Sequence, residues 1–205
     1  MGRGRRPSAE VRREVLAAAG RLLLAEGMSR FTMERVAAES GASKVTLYKM
    51  WPSKGALALE GYFATVETVL ELPDTGDVET DLRTQLHAFV DLLSTTSAGP
   101  VMAGLIGQAQ TDPELMTAYR ASYSAPRRAL AVGRMTTARD RGQLRADLDP
   151  ETVVDQLWGA CYHRLLVPDQ PLDARFADAL IDNLFRGIAA WKAEDASLSG
   201  RARER

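Results

Sequence analysis

Between residues 32 and 57 the chain reads TMERVAAESGASKVTLYKMWPSKGAL, a run whose punctuation admits few local structures. Thr32 is placed to cap a helix in which Met33, Val36 and Ala37 recur at helical spacing. Gly41 ends that helix where the backbone must turn, and Ser43 caps a second one. The second helix is short and carries Lys44, Thr46, Tyr48 and Lys49, all able to bond to phosphates or base edges. Pro52 stops it, and Ser53 caps the next helix with Lys54 in its first turn. A lysine there opposes the helix dipole, a conflict that a facing phosphate removes. Two short helices across a tight turn make a helix-turn-helix, whose second helix enters the major groove of DNA.

These residues resemble the DNA-binding segment of TetR-type transcriptional regulators. The matching positions are Thr32, the pair Val36 and Ala37, the turn Gly41-Ala42-Ser43, the run Thr46-Leu47-Tyr48, the aromatic Trp51, and Ser53 with Lys54. Two positions depart from the commonest form of that pattern. Ala42 stands where a valine is usual, and Trp51 where a phenylalanine is usual; the latter resembles a branch with a Trp-Pro-Ser-Lys ending. The resemblance implies base or phosphate contacts from Ser43, Lys44, Thr46, Tyr48 and Lys49, and phosphate contacts from Thr32 and Lys54. Lys44 and Thr46 are the candidates for reading bases, because only side chains that reach base edges specify sequence. The family fold it implies is all-α with nine helices: a three-helix helix-turn-helix head followed by a helical body for ligand binding and dimerisation.

Charge supports this reading. Residues 1–54 carry eleven Lys/Arg and five Asp/Glu, a balance of +6, whereas the rest carries fifteen and twenty-two, a balance of -7. A basic head on an acidic body steers DNA towards one face. Met1 to Pro7 is basic through Arg3, Arg5 and Arg6, which fits either an arm entering a minor groove or a solvated tail. No apolar core follows that segment, so it does not read as a secretory signal, and no apolar stretch approaches the ~20 residues of a membrane span. The single cysteine, Cys161, excludes an intramolecular disulfide and suits a reducing cytoplasm.

The expected organisation is a flexible basic arm over 1–7, a helix-turn-helix domain over 8–54, a ligand-binding and dimerisation domain over 55–192 and a polar tail over 193–205. Ser8 caps a first helix running to about Glu26, with Gly27 ending it. A fourth helix runs from Ser53 to about Leu70, and the turn-rich LPDTGD (Leu72 to Asp77) separates it from a fifth. Ser97 to Pro100 breaks the chain before a short sixth helix over Val101 to Ala109. Asp112-Pro113-Glu114 and Asp149-Pro150-Glu151 are both helix starts, with a cap, a proline at the first position and an acid in the first turn. The seventh helix reaches about Arg141 with a kink at Pro126, the eighth reaches Leu166, and a ninth spans Asp173 to about Lys192.

Apolar stripes allow two further roles. Phe176, Leu180, Leu184, Ile188 and Trp191 line one face of the ninth helix, with Gly187 permitting close approach, and Leu157 lies on a comparable stripe of the eighth. Each stripe fits either a dimer interface or the chain's own core; the family resemblance implies a four-helix interface from helices eight and nine of two chains. Phe89, Met102, Ile106, Met116, Tyr119, Tyr123, Trp158 and Tyr162 are the candidates for a pocket taking a small hydrophobic or amphipathic effector, their alternative being plain core.

His87 and His163 are far apart, no Cys/His cluster has metal-ligand spacing, and no phosphate-binding glycine loop or nucleophile elbow is present. His163 reads as packed or pocket-lining. No cofactor and no catalysis are expected. The leading expectation is a dimeric, DNA-binding transcriptional repressor on a palindromic operator, released by a small effector. The alternatives are a helical small-molecule-binding protein without sequence-specific DNA recognition, which leaves the basic head unexplained, and an architectural DNA-binding protein, which leaves the large body unexplained.

Overall fold

The structure, a computed structural model, describes residues 7–187. Within them the chain is all helical, with nine helices and no strand. Helix α1 spans Ser8–Arg30, α2 Met33–Ser40, α3 Lys44–Met50 and α4 Lys54–Val66, the last extended by a 3-10 turn at Thr68–Leu70. Helix α5 is Val78–Thr95 and α6 is Ala98–Ala109, bent from each other by 85°. Helix α7 begins as Pro113–Tyr119, widens into a π turn at Arg120–Ser124 and continues as Ala125–Asp140. Helix α8 likewise runs through Pro150–Val154, a π turn at Asp155–Gly159 and Ala160–Leu166, and α9 is Ala174–Arg186. No single helix among the described residues is long and apolar enough to cross a membrane.

Most starts are capped as their sequences require. Asp77, Asp112, Asp149 and Asp173 each accept a backbone N–H from the first turn of α5, α7, α8 and α9. Helix α1 differs: Ser8 is its first helical residue, and the Pro7 carbonyl accepts from Glu10 and Val11. The helix is broken at Gly27 (φ 71°, ψ 177°), close to the expected end. Helix α6 starts three residues before the expected Val101, because Pro100 falls in its first turn, where an N–H has no intrahelical partner to lose. The expected kink at Pro126 takes the form of the preceding π turn, across which Ala125 N–H donates to the Arg120 carbonyl.

The head and body share one core. Val15, Ala18, Ala19, Leu22 and Leu23 of α1 pack against Leu57, Ala58 and Tyr62 of α4. The two helices approach closely because the contact is made of glycines: a Cβ on Gly61 would lie 2.7 Å from that of Ala19, and one on Gly20 would lie 2.7 Å from the Gly61 carbonyl oxygen. Helix α4 is therefore fixed to the head along one side. Its first turn also touches α7, where a Cβ on Gly55 would lie 2.6 Å from Leu115 Cδ1.

Candidate functional site

The helix-turn-helix forms with its expected caps. Thr32 Oγ1 accepts from Arg35 N–H at 3.2 Å, Ser43 Oγ from Thr46 N–H at 3.1 Å and Ser53 Oγ from Ala56 N–H at 3.2 Å. Gly41 turns the chain with φ 64° and ψ 18°, the left-handed region open to glycine at little cost. Leu47 anchors α3 in the core at 0% exposure, beside Val36 and Trp51. Arg35 pairs with Glu26, tying α2 back to α1 and holding the Glu26 carboxyl below its ordinary range.

Helix α3 turns its polar residues outward. Ser43, Lys44, Tyr48 and Lys49 are exposed, as is Lys54 at the start of α4, while Thr32 and Thr46 are half-buried. Both base-reading candidates have neighbours: Lys44 Nζ lies 3.0 Å from Glu34 Oε1, and Thr46 Oγ1 lies 2.8 Å from Ser43 Oγ. Val45, between Lys44 and Thr46, is 79% exposed. Its position signals this, for two residues from Leu47 is about 200° around a helix. Arg3, Arg5 and Arg6 lie outside the described residues.

A cavity of about 620 Å³ opens in the body. Of the eight candidates, Phe89, Tyr119, Tyr123, Trp158 and Tyr162 line it. The other three do not. Met102 is fully buried in the core, and Ile106 and Met116 pack half-buried against that core instead. His163 is exposed and does not line the cavity, so the packed or pocket-lining role read from sequence is corrected. The polar lining was less legible: Gln85, Glu67, Glu71, Arg127, Arg128 and Asp155 have no apolar periodicity to mark them.

These groups are ordered by mutual bonds. Tyr123 and Tyr162 share a hydroxyl contact of 3.1 Å, and Trp158 Nε1 donates to Gln85 Oε1 at 3.1 Å. Phe63 stacks on Tyr123 with centroids 3.9 Å apart. Burial pushes the Tyr119 phenol up to about 12 and raises those of Tyr123 and Tyr162, so all three stay protonated and able to donate. Arg127 donates to the Leu70 carbonyl at the cavity edge, while Arg128 is bound to Glu151 and Asp155. Both π turns fall on this cavity, through Tyr123 and Ser124 on α7 and through Asp155, Trp158 and Gly159 on α8. Such turns are rare and concentrate at functional sites.

Helix α9 packs on α5 through Ala177 and Ile181, both fully buried. Phe176, Leu180 and Leu184 are only half-buried. Leu157, expected at a dimer interface, is 1% exposed in the chain's own core and has no surface to offer a partner. The helix ends at Gly187, where φ is 72°, a backbone conformation that favours glycine. Ile188, Trp191 and Lys192 lie outside the described residues. Cys161 is fully buried, and burial pushes its thiol up to about 12, which leaves it protonated and unreactive. Among the described residues no group of His, Cys, Asp and Glu is arranged to hold a metal ion.

Comparison with known proteins agrees with this geometry. The family model of bacterial regulatory proteins of the tetR family matches residues 15–60, and that of the tetracyclin repressor-like C-terminal domain matches residues 72–184. The HTH-type transcriptional regulator YdeS of Bacillus subtilis (strain 168) is 32% identical over 194 residues, covering 95% of this chain and 98% of that protein. The DNA-binding transcriptional repressor TetR of Mycobacteroides abscessus is 31% identical over 175 residues, covering 83% of this chain and 89% of its own. Among solved structures, the TetR family transcription regulator SCO0332 is 58% identical with a TM-score of 0.84, covering 88% of this chain and 100% of that one.

Proposed function

Since the chain belongs to the TetR family of DNA-binding transcriptional regulators, we propose that it is a dimeric repressor whose grip on a palindromic operator is released by a small effector in the body cavity. Helix α3 reads the major groove with Ser43, Lys44, Thr46, Tyr48 and Lys49. Thr32 and Lys54 grip phosphates, and Arg3, Arg5 and Arg6 reach an adjacent minor groove. Two heads are held at the spacing of two half-sites by α8 and α9 of each chain, with Phe176, Leu180 and Leu184 meeting the partner. The repressor named in Mycobacteroides abscessus supports repression as the sense of regulation, and the cytoplasm, where bacterial DNA lies, is its place of action.

One observation carries the effector reading. Helix α7 lines the cavity with Tyr119 and Tyr123, and one turn earlier its Leu115 sits on Gly55 in the first turn of α4, next to Lys54. A molecule that displaces α7 displaces α4, and α4 is fixed to the head by its glycine contact with α1. The cavity selects an amphipathic molecule: aromatic walls bury its apolar part, and the three phenols and Arg127 meet its polar groups. Almost complete release requires the ligand to favour the non-binding state by about 5.5 kcal/mol.

The test is a fluorescence-anisotropy titration of the full chain on the DNA flanking its own gene. Sequence-dependent binding that weakens steeply with salt is the expected result. Binding that ignores both sequence and salt contradicts the proposal.

A further inference from the structure

The geometry points to Val45 as the residue through which this protein reads thymine, by packing its side chain against the C5-methyl group in the major groove. The inference rests on the reading of α3 as the recognition helix. Val45 is the most exposed of the large apolar side chains among the described residues, at 79%. It follows Lys44 directly and shares a face of α3 with Tyr48 and Lys49, at i+3 and i+4, both exposed. An apolar side chain standing free among cations calls for a surface that is negatively charged overall and apolar at one point. A DNA duplex has that character, since phosphates flank the groove and, of the groups on the base-pair edges, only the thymine methyl is apolar.

The surrounding groups leave this reading role open. Lys44 is paired with Glu34 and Thr46 Oγ1 is bonded to Ser43, so both polar candidates already spend part of their bonding capacity within the chain. The Val45 side chain makes no such bond. Its short, stiff side chain also loses little conformational freedom on contact.

The experiment selects binding sites for the full chain from a random-sequence duplex library, then replaces each selected thymine in turn by deoxyuridine, which lacks only the methyl group. The expected result is one thymine per half-site at which deoxyuridine weakens binding about fourfold, the worth of one buried methyl group. Val45→Ala should bind thymine and deoxyuridine equally at that position. Circular dichroism of the variant should be unchanged, since an exposed helical valine is replaced by a better helix former. If deoxyuridine is harmless at every thymine, or if Val45→Ala keeps the full penalty, Val45 does not read the methyl group while sequence-specific binding stands. If the wild-type chain enriches no sequence at all, α3 is not a recognition helix and the role of Val45 falls with it.

Discussion

The indole Nε1 of Trp51 donates to Glu60 Oε2 at 2.6 Å, joining the end of the helix-turn-helix to the middle of α4. Glu60 is held in turn by Arg12 of α1, whose guanidinium lies 5.0 Å from the centre of the Trp51 ring. A phenylalanine fills the same core site but has no donor for Glu60, which gives the tryptophan at this position a physical purpose. Trp51→Phe should destabilise the chain by about 1.5–3 kcal/mol, the range for a bond to a charged group. Chemical denaturation reads the loss; a variant as stable as the parent would show that the bond contributes nothing.

Lys54 is exposed at the start of α4, where its charge opposes the helix dipole. Lys54→Ala should leave folding intact or slightly improved and weaken binding to every DNA sequence alike. The slope of log affinity against log salt should become shallower by about 1 for each phosphate that Lys54 neutralises. An unchanged slope places Lys54 away from the backbone.

Tyr162 shares its hydroxyl contact with Tyr123 inside the cavity. Tyr162→Phe should lower effector affinity roughly five- to tenfold, the worth of one hydrogen bond, while operator affinity without effector stays as it was. Calorimetry with a compound found by thermal-shift screening measures the first, and anisotropy the second. Equal loss of both would mean that the residue is merely structural.

Leu184 is half-buried on α9, on the helix that carries the proposed partner face. Leu184→Asp should convert dimer to monomer in sedimentation and abolish tight operator binding, with helical content retained. A variant that stays dimeric places the interface elsewhere.

Asp74 fastens the linker between α4 and α5 to α7 by pairing with Arg141 and Arg134. Those guanidinium groups hold its carboxyl below the usual carboxylate range. A depressed acid stabilises the fold above its unfolded value, so the contribution is complete at neutral pH. It fades once pH drops below the ordinary aspartate value of about 3.9 and is gone below the folded value. Asp74→Asn should therefore flatten the acid limb of a stability-against-pH curve; an identical limb would show that the pair does not contribute to it.

Much of the head was legible because its signals are local. Thr32, Gly41, Ser43 and Ser53 each act on backbone groups within a few residues, so spacing alone places them. The Asp-Pro-Glu starts of α7 and α8 work in the same way. Periodicity was less decisive where a helix has more than one apolar face. Leu157 and Phe176 both sit on apolar stripes, yet one is core and the other half-exposed. Met102 and Tyr162 are similar candidates in sequence, but only Tyr162 meets the cavity.

By itself, then, the sequence determined the helices, most of their caps, the basic head and the helix-turn-helix, because capping, turn chemistry and net charge depend on neighbours along the chain. Only the tertiary structure decided which apolar faces are core, that Trp51 bonds Glu60, that Leu115 rests on Gly55 and that Val45 stands free. Those facts depend on how helices distant in sequence cross one another, and close packing makes that crossing a property of all their side chains at once.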